Sequence, residues 1–384
     1  MIRLKWWERL LTRAVDAALA MLAPLRSEPT PAAAPGAAPD SILVVEIWRT
    51  GDVILSTTVL EPLARRYPNA RIVLLSSPVA PALVAGSPHL AEIVTFDFPW
   101  TAEHGKYALW RWPWRRLAAL VGGLRARRFS LCLDARGDLR NNLLTWLIGA
   151  GERLGYATTG GGRLLTHVVS APDGVIHRVD AWRRLLVALG IPAAAAAPRL
   201  PVTADEDRTA RALLAAHGCG PATTVVAIHP GARVALRRWD IGRFAAVGRD
   251  CLAVPGVRVV VIVDPDGTGR ELAQTLDVPA LELDLRGLIA LLGHVSLLVC
   301  NESGPMHIAV SRGTRVVSIF GPGEPEYFGP SDPRDRVVIE TPMPCRPCLD
   351  RCLFAEPYCM TRIEPERVME AVRASLAAGA SSPA

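Results

Sequence analysis

The chain lacks any run of about 18 apolar residues, the length a membrane-spanning helix needs. No part of its 384 residues is therefore expected to cross a bilayer as a helix. It also lacks a secretory leader. The apolar stretch at its N-terminus is broken by Glu8, Arg13 and Asp16, and no small-residue cleavage site follows. The two absences together favour the cytoplasm. Charge is sparse as well: 21% of the residues are charged against 50% hydrophobic, which excludes a disordered chain. There is no GxxxxGK[ST] loop and no GxGxxG after the first expected strand, so Walker-type ATP hydrolysis and dinucleotide binding lack their signatures. Zinc-finger spacing with paired histidines and aromatic RNA-binding motifs are missing too, and nucleic acid is not expected as a partner. The net charge of +6 is modest, and it suits an acidic substrate or an anionic membrane surface.

What is present is enough chain for two domains. Residues 1–40 stand apart as an amphipathic helix followed by a Pro/Ala linker. In the helix, Trp6, Trp7, Leu10, Leu11, Val15 and Leu22 recur at helical spacing among Arg3, Lys5, Arg9 and Arg13. Such a helix can lie at a membrane interface or pack on the protein's own surface. From Ser41 onward, apolar runs alternate with amphipathic helical patterns. The alternation restarts after the Pro/Ala-rich stretch 191–201. This predicts an α/β protein of two parallel-sheet domains, 41–195 and 196–384. Residues 98–116 carry Phe98, Trp100, Trp110, Trp112 and Trp114 among Lys106, Arg111, Arg115 and Arg116. They read as a loop that grips substrate, touches a membrane or simply packs.

Three loops at expected strand ends carry chemistry. The run Trp48 to Asp52 follows the first strand, and a carboxylate there suits either a general base or a helix-terminal charge. His229-Pro-Gly231 with Arg233, Arg237 and Arg238 suits a phosphate or surface ion pairs. Leu297 to Pro322 reads as strand, loop, helix and strand, with Ser303 as a helix N-cap and Pro305 in the first turn. A helix N-terminus at the carboxyl edge of a sheet is a phosphate site in open α/β folds.

Arg49-Thr-Gly-Asp-Val53, Pro68-Asn-Ala-Arg-Ile72, His229-Pro-Gly-Ala232 with Arg237-Arg-Trp239, Glu302-Ser-Gly-Pro-Met-His307 and Phe320-Gly-Pro322 occur in that order. Together they resemble the ADP-heptose:lipopolysaccharide heptosyltransferases, glycosyltransferase family nine, over about residues 42 to 375. The resemblance implies a GT-B architecture, two Rossmann-like domains across a cleft, with acceptor held by the first and nucleotide-sugar by the second. It implies that Asp52, beside Thr50 and Gly51 of the acceptor-side loop, is the catalytic base of an inverting transfer. Arg237 is placed on the donor diphosphate, Ser303, Gly304 and Pro305 in the phosphate loop, and His307 on the same short helix. The resemblance also implies that no cofactor is needed for catalysis. The partners implied are a nucleotide-sugar donor and a lipid-linked saccharide acceptor, at the cytoplasmic membrane surface. A protein acceptor of autotransporter type and a non-catalytic nucleotide-binding scaffold are the alternatives. The chain departs from the family in having Glu302 for the usual aspartate and Arg237 for the frequent lysine.

Cys345, Cys348, Cys352 and Cys359 form a cluster opening with C-x-x-C. Four such thiols can wrap one tetrahedral zinc or an iron ion, or stay as thiols or disulfides of a loop. Similar cysteines recur in the family resembled, some of whose protein-modifying members hold iron there. A metal held there is expected to be structural rather than catalytic, and metal and metal-free thiols both stay open.

Overall fold

In the computed structural model the described residues are 38–102, 107–170, 174–220, 222–346, 348 and 351–380. The expected helix over 1–26 lies outside them. The chain divides into two compact units, Met1–Pro198 and Arg199–Ala384.

The first unit is built on six parallel strands: β1 Ser41–Glu46, β2 Arg71–Ser76, β3 Glu92–Thr95, β4 Leu131–Asp134, β5 Glu152–Gly155 and β6 His167–Val168, in the order β3-β2-β1-β4-β5-β6. Its helices include α1 Thr50–Ser56, α2 Trp114–Ala126, α3 Leu139–Ile148 and α4 Arg178–Ala188. The central strand explains itself from its sequence. Ile42, Leu43, Val44 and Val45 are all buried, because helices cover both faces of a parallel sheet and leave no side for polar alternation. The Cys132 thiol of β4 sits in the same core.

The second unit repeats the plan. Its strands are β7 Thr224–His229, β8 Val257–Val263, β9 Ala280–Glu282, β10 Leu297–Asn301, β11 Arg315–Phe320 and β12 Arg336–Ile339, all parallel where paired. The order β12-β11-β10-β7-β8-β9 is the first sheet's order, with β7 in the place of β1 and β10 in the place of β4. Helices α5 Ile241–Leu252, α6 Arg270–Leu276, α7 Gly304–Ser311 and α8 Pro365–Ala380 belong to this unit. Helix α8 closes the core, with Val368, Met369 and Val372 buried against the sheet.

In both units the strand order reverses beside the first strand, between β1 and β4 and between β7 and β10. Loops leaving the carboxyl ends of two such strands diverge and open a crevice, where ligands of open α/β sheets bind. All three loops singled out in the sequence leave strands at these two points. The run Trp48 to Asp52, read as a strand-end loop, enters α1 at Thr50, and a 3₁₀ turn follows at Thr57–Val59. Thr50, Gly51 and Asp52 therefore form a first helical turn rather than a loop. Trp114 opens a helix instead of sitting in a loop, and the two-residue β6 and the edge strand β12 were not expected.

Candidate active site

In the first unit, β1 ends with Glu46, and Asp52 follows six residues later in the first turn of α1. Both carboxylates are buried, Glu46 to 1% exposure and Asp52 to 5%. Two arginines come to them from elsewhere in the chain. Arg136, just past β4, donates from Nη1 to Asp52 Oδ1 at 3.0 Å. Its guanidinium lies 4.1 Å from the ring centre of Trp48. Arg178, at the start of α4, sets Nε 3.6 Å from the same Oδ1 and donates from Nη2 to Glu46 Oε2 at 3.3 Å. It also donates from Nη1 to the Ala135 carbonyl at 2.8 Å, which ties it to the end of β4. Asp52 Oδ2 accepts the Arg49 backbone N–H over a long 3.4 Å. The two oxygens are thus unequal: Oδ1 faces both guanidiniums, and Oδ2 is only weakly held.

Asp134, the last residue of β4, fixes the loop that carries Arg136. Its Oδ1 accepts the Arg136 and Gly137 backbone N–H groups at 2.7 and 3.4 Å, and its Oδ2 accepts Asn141 Nδ2 at 2.7 Å. Gly137 adopts φ +70°, and a Cβ there would lie 2.6 Å from Thr158 Oγ1 and 2.9 Å from Tyr156 Cβ. Only glycine satisfies both the left-handed backbone and the contact.

Burial is the main force on these acids. It pushes the Asp134 carboxyl up to about 6. It pushes Glu46 up to about 8, with the neighbouring Asp52 charge adding to the rise and Arg178 opposing it. A carboxyl whose folded value is raised favours the native state at low pH. That contribution is full below its unfolded value and is lost as pH climbs through the folded one. For Glu46 the window runs from about 4.5 to about 8. Asp134 acts in the lower part of it. Glu46→Gln, which cannot ionise, should therefore lose less thermal stability than the wild type between about pH 6 and about pH 8. Parallel melting curves of the two proteins across that range would contradict it.

In the second unit, His229 ends β7, buried to 2%, and its Nε2 lies 2.9 Å from Asp264 Oδ1 beyond β8. Asn301 ends β10 and latches two loops. Its Oδ1 accepts the Trp239 backbone N–H at 3.1 Å, and its Nδ2 donates to the Pro230 carbonyl at 2.7 Å. The Trp239 indole, 3% exposed, donates to the Ile363 carbonyl at 3.0 Å. This latch holds Arg237, in a 3₁₀ turn, against the start of α7. There Arg237 Nη1 donates to Glu302 Oε1 at 2.9 Å, with Glu302 buried to 5%. Gly323 closes over that carboxylate, since a Cβ at Gly323 would come within 1.9 Å of Glu302 Oε2. The longer acid is thus accommodated by a residue without a side chain.

Ser303 occupies the N-cap of α7 in extended conformation, Gly304 is the first helical residue, and Pro305 stands in the first turn. The Ser303 hydroxyl makes no capping hydrogen bond. It is buried with no hydrogen-bond partner. His307 is buried to 9%, its ring edge-on to Phe328 with 6.3 Å between centres. Of the other two arginines named in the sequence, Arg238 is committed to the Ala232 carbonyl at 2.7 Å and to Asp266. Arg233 is exposed.

A structural metal is not supported. Among the described residues no group of three or more Cys, His, Asp or Glu side chains is placed to hold an ion. Cys345, Cys348, Cys352 and Cys359 are all free thiols. They are neighbours, but they serve different surroundings. The Cys352 thiol points at the Glu356 carbonyl, 3.6 Å away. Cys359 belongs to the unit's core with Met360. Burial raises the Cys359 thiol, Arg346 opposes the rise, and the three other sulfurs add to it. Arg346 then ties the segment to the Gly321 carbonyl at 2.9 Å, beside the turn that covers Glu302.

Glu46, Asp134, Arg136 and Arg178 were not foreseen. Asp134 had a legible signal, as a carboxylate ending an apolar strand three residues before a glycine. Arg178 had none, because its partners lie 132 and 126 positions away along the chain.

Comparison with known proteins places the family and the fold. The model of glycosyltransferase family 9 (heptosyltransferase) matches residues 117–358. Lipopolysaccharide heptosyltransferase 1 of Pseudomonas aeruginosa is 26% identical over 367 residues, 88% of this chain and 98% of its own. Among solved structures, a family 9 glycosyltransferase from Veillonella parvula superimposes with a TM-score of 0.68 at 20% identity, covering 88% of this chain and 97% of its own. The E. coli ADP-heptose heptosyltransferase II gives 0.65 at 19% identity, over 89% and 100%. The expected GT-B class, two Rossmann-like parallel sheets, is thus the fold observed. With the family model spanning well over half its length, the chain belongs to glycosyltransferase family 9, the heptosyltransferases.

Proposed function

We propose that this glycosyltransferase moves a heptose from ADP-heptose to a sugar of the lipopolysaccharide core, with inversion and without a catalytic metal. Residues 41–195 take the acceptor and 196–384 the nucleotide-sugar. The observation that carries the reading is the unequal environment of Asp52. Two arginines hold Oδ1, which fixes the carboxylate plane and leaves Oδ2 to receive a proton. The acceptor hydroxyl attacks the anomeric carbon and passes its proton to Oδ2. The new C–O bond forms as the bond to the diphosphate breaks, and ADP leaves with the electron pair.

On the donor side, a guanidinium has five N–H donors, so the bond from Arg237 to Glu302 orients its fork without exhausting it. Arg237 and the N-terminus of α7, at Ser303, Gly304 and Pro305, take up the charge that grows on the diphosphate. Preorganised donors of this kind are worth roughly 3–4 kcal/mol each in other enzymes. Glu302 fixes Arg237, and His307 supports the loop from within the helix.

ADP should raise the unfolding temperature, by the equivalent of about 2.7 kcal/mol when present at 100 times its dissociation constant. UDP at the same concentration should do less. Equal protection by both, or by neither, would remove the adenine-nucleotide assignment.

A further inference from the structure

We propose that the tryptophan- and arginine-bearing surface at the start of α2 docks the protein on an anionic lipid bilayer. Trp110 is 84% exposed, Trp114 51% and Leu109 53%. These three large apolar side chains lie within six residues, and among the described residues they stay largely in water, at a cost in free energy. From Tyr107 to Arg128 the chain has six arginines and no acidic residue. Arg111, Arg115 and Arg116 are exposed beside the tryptophans, and among the described residues none of the three is paired with a carboxylate.

The mount is rigid. A ladder of rings runs outward from the core, from buried Phe98 through Trp100 and Trp112 to Trp114, with centres 5.0, 5.4 and 5.1 Å apart. The Trp114 indole N–H is already satisfied by the Leu109 carbonyl at 2.8 Å, so its polar edge is spent inside the turn. Rings held this way lose little freedom on insertion. Tryptophan and arginine side by side match the border between acyl chains and anionic headgroups, where the ring is half-solvated and the guanidinium meets phosphate. A soluble polyanion would use the arginines but leave the indoles in water, and the bilayer uses both.

The test is partition of the full chain onto vesicles of phosphatidylcholine, with and without phosphatidylglycerol. Quenching of tryptophan fluorescence by brominated acyl chains reports insertion. Binding should require phosphatidylglycerol. The paired substitution R115A and R116A should weaken it about thirtyfold, from roughly 1 kcal/mol per arginine. The pair W110A and W114A should abolish quenching while the far-UV circular dichroism spectrum and the denaturant midpoint stay at the wild-type values, which shows the variant folded. Partition of that variant equal to the wild type would overturn the proposal, even if another segment binds lipid. So would a concentration-dependent dimer that W110A and W114A dissolve without any vesicle binding. These readouts do not involve sugar transfer, so they stand or fall apart from the assigned reaction.

Discussion

Asp52→Asn should fold, retain ADP-induced thermal protection, and lose sugar transfer by at least about 100-fold, the lower range for removing a general base. Asparagine keeps the shape of the side chain and can still present an oxygen to Arg136. What it loses is the ability to take a proton at the second position. The control matters because Asp52 also neutralises two guanidiniums, one of them only 3% exposed. Asp52 lies in the first unit and Arg237 and the Ser303 loop in the second, so the variant's own denaturant midpoint checks folding, and ADP protection checks the donor site. Turnover within tenfold of wild type would rule out Asp52 as the base. The loss should fall on kcat, since the proton moves in the transition state and not on binding.

The second large effect is structural. Arg178→Met should cost about 3–5 kcal/mol of folding stability, because it strips the shared cation from buried carboxylates and leaves their charge uncompensated. Its side chain is 3% exposed and bridges Glu46, Asp52 and the Ala135 carbonyl, so three elements lose a common anchor. Glu46 can answer by binding a proton, which puts the real cost at the lower end near neutral pH and makes it grow as pH rises. Denaturant midpoints at two pH values would measure both parts. A shift under about 1 kcal/mol, of the size usual for surface substitutions, would show that the arginine carries no such role. Asp52→Asn and Arg178→Met separate chemistry from support: the first removes transfer from a chain that still folds, and the second weakens the unit before it touches the reaction.

The tryptophan segment shows how sequence and structure share the information. Five aromatic residues among basic ones were visible as a composition, and three uses were open for them. The structure divides the set. Phe98 and Trp100 are core, while Trp110 and Trp114 stand in water. The helix they introduce had its own signal in Leu117, Leu120, Val121 and Leu124, spaced three and four apart on one stripe. The density of tryptophan before it obscured that stripe.

By itself the sequence determined the alternation of strands and helices. It did so because a strand buried on both faces must be continuously apolar, and a helix on its surface must be striped. The strands Val257–Val263 and Arg315–Phe320 and the helices Leu139–Ile148 and Ile241–Leu252 follow those patterns to the residue. It also marked the carboxyl-edge loops, where Gly, Pro and charged residues interrupt apolar runs. Only the tertiary structure decided what surrounds each charge. Arg136 and Arg178 reach Asp52 across 84 and 126 positions, and Gly323 makes room for Glu302 across 21. Such meetings depend on how loops from separate strands converge at the reversal of strand order, and no local propensity encodes them. The same holds for the four cysteines. Their spacing allowed a metal, and the fold sets Cys359 in the core.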